Sequence, residues 1–107
     1  MTRNPELVKV IVEGSARVTE QDRESYLSLV REIVNVSTRR EGCLKFSVSE
    51  DVIERNLFHL TELWTDQKAL DASRFGAENT RMLQKFANLE VRDRSVQIYE
   101  VASVGPG

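Results

Sequence analysis

One cysteine, one histidine and one tryptophan are all that this 107-residue chain holds of those types. A lone thiol, Cys43, closes no intrachain disulfide, so a hydrophobic core must hold the fold. A single histidine, His59, beside a single cysteine gives no Cys/His set for structural zinc, and no metal is expected. Charge of one sign is also lacking: 15 Lys and Arg face 17 Asp and Glu, a net of -2. Without a basic run, neither nucleic acid nor an anionic membrane surface is an expected partner. No apolar stretch approaches the ~20 residues of a membrane-crossing helix. The opening MTRNPELVKV has no apolar core of a secretory signal, so a cytoplasmic location is expected. Repeats and low-complexity segments are absent too.

What is present is the balance of a soluble globular domain: 40% hydrophobic and 30% charged residues. The length suits one domain spanning 1–107, able to bury roughly 65% of its unfolded surface. Met1–Pro5 reads as a loose arm and Gly105–Gly107 as a disordered tail. Leu7–Gly14 reads as a strand, with Val8, Val10 and Val12 on one face. Thr19 then offers an N-cap for a helix running to about Arg39, striped by Tyr26, Leu29, Val30, Ile33 and Val36. Gly42 suits the left-handed residue that stops it. Cys43–Glu50 alternates cleanly, with Leu44, Phe46 and Val48 opposite Lys45, Ser47 and Ser49. A polar connection over Asp51–Asn56 turns it into Leu57–Trp64, an antiparallel partner. Thr65 or Asp66 caps a short helix to Ser73, Gly76 breaks it, and Asn79–Leu89 continues in helix. Val91–Val104 returns to strand, with Val96 and Ile98 opposite Tyr99 and Val101.

The order is β-α-β-β-α-β: an α+β, ferredoxin-like arrangement of four antiparallel strands with helices on one face. The face without helices carries apolar side chains, and such a face is usually covered by a second copy, so a homodimer is expected.

The third strand carries the candidate chemistry. Phe58, Leu60, Glu62 and Trp64 alternate onto one side, placing a carboxylate and an indole on an otherwise apolar face. That is the pattern of a pocket wall or, equally, of a core tryptophan beside a paired carboxylate. A glutamate in apolar surroundings gains basicity and can act as a proton acceptor. His59, with an ordinary pKa of about 6.5, could also move a proton, although it points to the opposite face. Tyr26, Phe46 and Phe86 could close an apolar cavity on a flat ligand, with Trp64 stacking on it. Arg81 could bind an anionic oxygen. For each, packing or solvated surface is the plainer role. Cys43 has no evident His partner and reads as a small buried residue.

Glu41-Gly42-Cys43-Leu44, the alternating strand after it, Glu62-x-Trp64, and Asp66-x-x-Ala69-Leu70-Asp71-Ala72 together resemble the antibiotic biosynthesis monooxygenase (ABM) domain. The resemblance covers residues 7 to 101. It implies a dimeric α+β barrel with two ferredoxin-like sheets face to face. It also implies, among several family activities, a monooxygenase that oxidises a small aromatic phenol or quinol with O2 and needs no cofactor. A non-catalytic dimeric module for a small aromatic or apolar ligand, or an isomerase-type relative acting on a small phosphosugar, remain alternatives. Haem-degrading relatives use an Asn on strand one with a Trp and a His on later helices, and this sequence has none of them. Where relatives carry a His after the "LDA" run, this chain has Ser73. Leu60 and Leu70 replace the polar partners that the polyketide-oxidising members place around their tryptophan. A copied active site is therefore not expected, and the residue pattern itself offers Glu62 or His59 as base, Arg81 as anion partner and an apolar lining.

Overall fold

A computed structural model describes residues 5–107. A 3-10 turn at Pro5–Leu7 precedes β1 (Val10–Val18), α1 (Arg23–Ser37), β2 (Cys43–Glu50), β3 (Leu57–Trp64), α2 (Gln67–Arg74), α3 (Ala77–Phe86) and β4 (Val91–Glu100). The strands form one antiparallel sheet in the order β2-β3-β1-β4. This is the expected ferredoxin-like α+β fold. The arm over Met1–Asn4 lies outside the described residues.

The boundaries of β2 and β3 fall where alternation puts them. β1 does not stop at Gly14 but runs on to Val18, because Ser15 and Arg17 keep partners on both β3 and β4 and Ala16 keeps Phe58 on β3. It also starts at Val10, later than the β-branched run suggests. β4 ends at Glu100 instead of Val104. α1 begins three residues late. Thr19 closes a turn instead of capping the helix: its hydroxyl accepts from the Asp22 amide at 3.2 Å, and the helix starts after Asp22. The Asp22 carboxylate turns away and accepts from the Glu90 amide at 2.8 Å, tying the start of α1 to the start of β4. Of the two cap candidates after β3, Asp66 does the work, accepting from the Ala69 amide at 2.7 Å. The second helical piece starts at Ala77 and ends at Phe86, earlier at both ends than the pattern suggests.

Gly42 takes φ +80°. A Cβ there would stand 2.5 Å from the Ala69 Cβ and 2.8 Å from Thr65 Oγ1. Left-handed backbone and close approach together require glycine, which lets the turn before β2 touch α2. The Thr65 amide donates to the Gly42 carbonyl at 2.9 Å and closes the junction.

Cross-strand pairs define the two faces. Val10, Val12, Gly14 and Ala16 on β1 stand beside Trp64, Glu62, Leu60 and Phe58 on β3. This is the face the helices cover. Its core unites Val10, Val12, Cys43, Trp64 and Leu70, with Phe46 and Ala69 packed against them. The other face bears Ile11, Leu63 and Tyr99 in one row across three strands. Two irregularities break strict alternation. In β2 an extra residue at Leu44 lets Cys43 pair with Trp64 while Lys45 pairs with Leu63. Cys43 therefore joins the core beside Leu44 instead of opposing it. In β4, Ser95 pairs with Ser15 but Arg92 pairs with Arg17, so one residue is inserted on β4. Asp93, at φ +53°, absorbs it.

Candidate functional site

Small residues on β1 create space. Gly14 and Ala16 leave the sheet floor low between larger neighbours, and α1 and α3 bridge above it instead of filling it. The result is a cavity of about 440 Å³ between sheet and helices. Its floor includes Gly14, Ala16, Phe46, Val48 and Leu60, with Val96 on the β4 side. Its roof is Tyr26, Val30 and Ile33 of α1 with Leu83 and Phe86 of α3. Tyr26 stands 5.0 Å from the Phe58 ring and 5.7 Å, edge to face, from Phe86. The three rings form an aromatic corner suited to a flat apolar guest.

Polar side chains in the lining are few. Burial raises the Tyr26 pKa, against a smaller opposing pull from the nearby Arg94 charge, so the phenol stays protonated and can donate. Its hydroxyl has no hydrogen-bond partner among the described residues. Arg94 lines the cavity from β4, an edge strand exposed along most of its length.

Of the seven residues singled out from the sequence, Tyr26, Phe46, Phe86 and His59 line this cavity, while Trp64, Glu62 and Arg81 do not. His59 contributes from the odd parity of β3, so its imidazole stands on the helix-free face. There it pairs with Asp51 Oδ1 at 2.9 Å. Trp64 is fully buried in the core, and Glu62 is 7% exposed beside it. The indole Nε1–H donates to Glu62 Oε1 at 2.9 Å. Desolvation pushes the Glu62 pKa up, and the indole bond and the positive Arg74 and Arg40 oppose it. Glu62 is the direct cross-strand neighbour of Phe46, which does line the cavity. Arg81 is exposed on α3. Ser73 is not a free surface hydroxyl: Arg40 Nη1 donates to both its Oγ and its carbonyl, and Arg40 Nη2 reaches Glu78 at 3.2 Å.

The sequence alone does not single out Phe58 or Arg94. Phe58 shares a strand face with Trp64, and in the fold it forms part of the cavity wall. Arg94 shares parity with Val96 and Ile98, a signal that was available. Val91, three residues before Arg94, lines the cavity as well. Strict alternation forbids that pair on one side, and only the inserted residue at Asp93 permits it.

Fold and cavity define a class: a ferredoxin-like α+β domain with an apolar cavity between sheet and helices. The model of the family "Antibiotic biosynthesis monooxygenase" matches residues 9–85, and the chain belongs to that family. The structure of "a putative antibiotic biosynthesis monooxygenase" from Deinococcus radiodurans superposes with a TM-score of 0.85 at 24% identity, covering 91% of this chain and 96% of that one. This shows the shared fold. The Bacillus subtilis protein named "Putative monooxygenase YcnE" is 30% identical over 61 residues, which is 57% of this chain and 64% of that protein. The Synechocystis "Uncharacterized protein sll1783" is 26% identical over 93 residues, 87% of this chain. The matches thus span only 63% and 64% of the length of these two relatives. Among the described residues, no helix is long and apolar enough to cross a membrane, and no cluster of three His, Cys, Asp or Glu could hold a metal.

Proposed function

We propose that the chain acts as a homodimer in which each cavity oxidises a small aromatic phenol or quinol with O2, without a cofactor. The observation that carries this is the apolar cavity of about 440 Å³ with its Tyr26–Phe58–Phe86 corner, in a chain of this family. The ring would lie between these aromatics. Loss of the phenolic proton makes the ring electron-rich, and O2 bonds to a hydrogen-bearing ring carbon ortho or para to the oxygen. That carbon gives up its hydrogen, one oxygen atom stays as a carbonyl, and the other leaves as water. The substrate supplies all four electrons that reduce O2, so the protein need only bind, exclude water and accept a proton. Glu62 is the proposed acceptor: its pKa is raised, it sits on the cavity's sheet face behind Phe46, and Trp64 fixes one of its oxygens.

Oxygen uptake by purified protein over hydroquinones, naphthols and anthrones tests the proposal. Turnover of at least one, unaffected by chelators, is the expected result. No uptake above buffer for any of them sinks it. A second reading has its own support: no carboxylate lines the cavity itself. On that reading the domain only carries its ligand, and native mass spectrometry would show a co-purifying small molecule that O2 leaves unchanged.

A further inference from the structure

Arg94 is the one charged guanidinium in a lining otherwise made mostly of hydrocarbon. Its surroundings explain why it is there. The inserted residue on β4 places Arg94, Val91 and Val96 on the same side. Asp93 adopts a left-handed backbone that a non-glycine residue enters only at a cost. Arg17 holds the Asp93 carboxylate at 3.2 Å and so pins the bulge. Arg17 in turn grips Glu54 at 2.7 Å. Elsewhere on this edge the cations are engaged: Arg17 by those two acids and Arg92 by Glu90. Arg94 has no ion pair and no hydrogen bond among the described residues. The Tyr26 hydroxyl in the same lining also lacks a hydrogen bond among the described residues, and it is close enough to feel the Arg94 charge.

An apolar aromatic chamber with a free guanidinium at its open edge and a free phenol donor inside matches one kind of guest. That guest has a flat hydrophobic body and a single anionic oxygen. We propose that Arg94 and Tyr26 form the anion-recognition pair of the cavity, and that the ligand is held as a phenolate or aryl carboxylate. The proposal rests on reading the cavity as the ligand site. It adds the charge state of the ligand and the residue that selects it. For a phenolic substrate the consequence is direct: a guanidinium beside the oxygen lowers the ligand's own pKa, so part of the deprotonation is done by binding. The bulge is then a specificity device, since removing the inserted residue would turn one of Val91 and Arg94 away.

Para-nitrophenol reports its own ionisation by colour, and para-nitroanisole is a neutral probe of nearly the same shape. Wild-type protein should bind nitrophenol as the yellow anion, with the bound ligand titrating below its free pKa. Arg94→Gln should weaken that binding roughly 10- to 100-fold, the usual worth of a charge-assisted hydrogen bond, and abolish the pKa shift. Nitroanisole affinity should be unchanged, and Arg94→Lys should recover part of the shift. Because Arg94 is exposed, Arg94→Gln should fold normally; Tyr26→Phe is the companion variant and should lose a smaller part of the shift. Bound nitrophenol that stays neutral, or equal affinity in Arg94→Gln, overturns the proposal while leaving the cavity a binding site. Equal loss of both probes in Arg94→Gln also overturns it, because Arg94 would then only shape the mouth. Failure of wild type to bind either probe overturns both the proposal and the ligand-site reading. Arg94-dependent phenolate binding without O2 consumption removes only the oxygenase reading.

Discussion

Glu62 is the residue where sequence and structure meet most closely. Alternation put it on one face with Phe58, Leu60 and Trp64, and that is its place. Alternation could not tell how far the cavity extends along that face. The cavity stops at Leu60, and the Glu62–Trp64 pair belongs to the neighbouring core. Depth depends on Gly14, Ala16 and the roof from α1 and α3, which are distant in the chain. The electrostatics give a test with a definite sign. Burial raises the carboxyl above its ordinary 4.5. The folded state therefore binds the proton more tightly than the unfolded chain, and stability falls as pH rises above 4.5 toward the raised value. Glu62→Gln keeps the shape and the acceptor for the Trp64 indole while removing the charge. It should raise the melting temperature at neutral pH, and the gain should fade in acid, where both states of the wild type are protonated. Turnover in the same variant should drop roughly 10²- to 10⁴-fold if Glu62 takes the substrate proton. A variant no more stable at neutral pH than wild type would show that the buried carboxylate is better compensated than its surroundings suggest.

At the scale of elements, the legible parts were those fixed by local chemistry. β2 and β3 came from alternation and the α2 cap from Asp66; Gly42 is left-handed as expected, but α1 ends at Ser37 with Thr38 as its cap, so Gly42 turns the chain into β2 instead of stopping the helix. What stayed hidden was long-range. The extra residue at Leu44 and the insertion at Asp93 exist only relative to a partner strand, and no local pattern announces them. The hairpin joining β2 to β3 is a further case. Its turn is built on Asp51, which accepts from the Ile53 and Glu54 amides, and on Asn56 at φ 69°. Its tie to α1 is ionic: Arg23 grips Glu50 through two bonds of 2.6 and 2.8 Å, and Asn56 donates to the same carboxylate. Arg23 thereby holds the Glu50 carboxyl down at about 2, and the Glu54 amide with His59 does the same for Asp51. These groups have depressed folded pKa values, so their stabilisation is complete above the ordinary 4.5 and 3.8. It is lost as pH falls toward about 2. Acid should therefore loosen this hairpin early, seen as faster amide exchange at residues 50–57 than in the β1–β3 ladder. Glu50→Gln should bring that fast exchange to neutral pH and flatten its acid dependence. Uniform exchange across the sheet in acid would refute the ionic tie.

At the scale of the molecule, the sheet is covered on one side only. Leu63, Ile11 and Tyr99 form a row across β3, β1 and β4 on the bare side, with Val101 next to Lys9 at its edge. Tyr99 is 48% exposed in the single chain. Around the row stand Thr61, Ser47, Ser15 and Gln97, with Lys45 beside Leu63 on β2 and Glu13 in the next row on β1. An apolar centre with a polar margin is the anatomy of a subunit interface. Two copies related by a two-fold axis would place each row against its twin. Leu63→Glu should then split the dimer, because a charge left without a partner inside an interface costs about 3–5 kcal/mol. That corresponds to a dissociation constant raised roughly 10²- to 10⁴-fold. Val101→Glu, nearer the margin, should do less, and Lys68→Glu on the exposed side of α2 should do nothing. Sedimentation across a dilution series reads all three. The aromatic corner and Arg94 stand on the opposite, helix-covered side of the sheet, so folded Leu63→Glu monomers should still bind para-nitrophenol. A wild type that sediments as a monomer at micromolar concentration would remove the interface. A dimer untouched by Leu63→Glu would move it off this face.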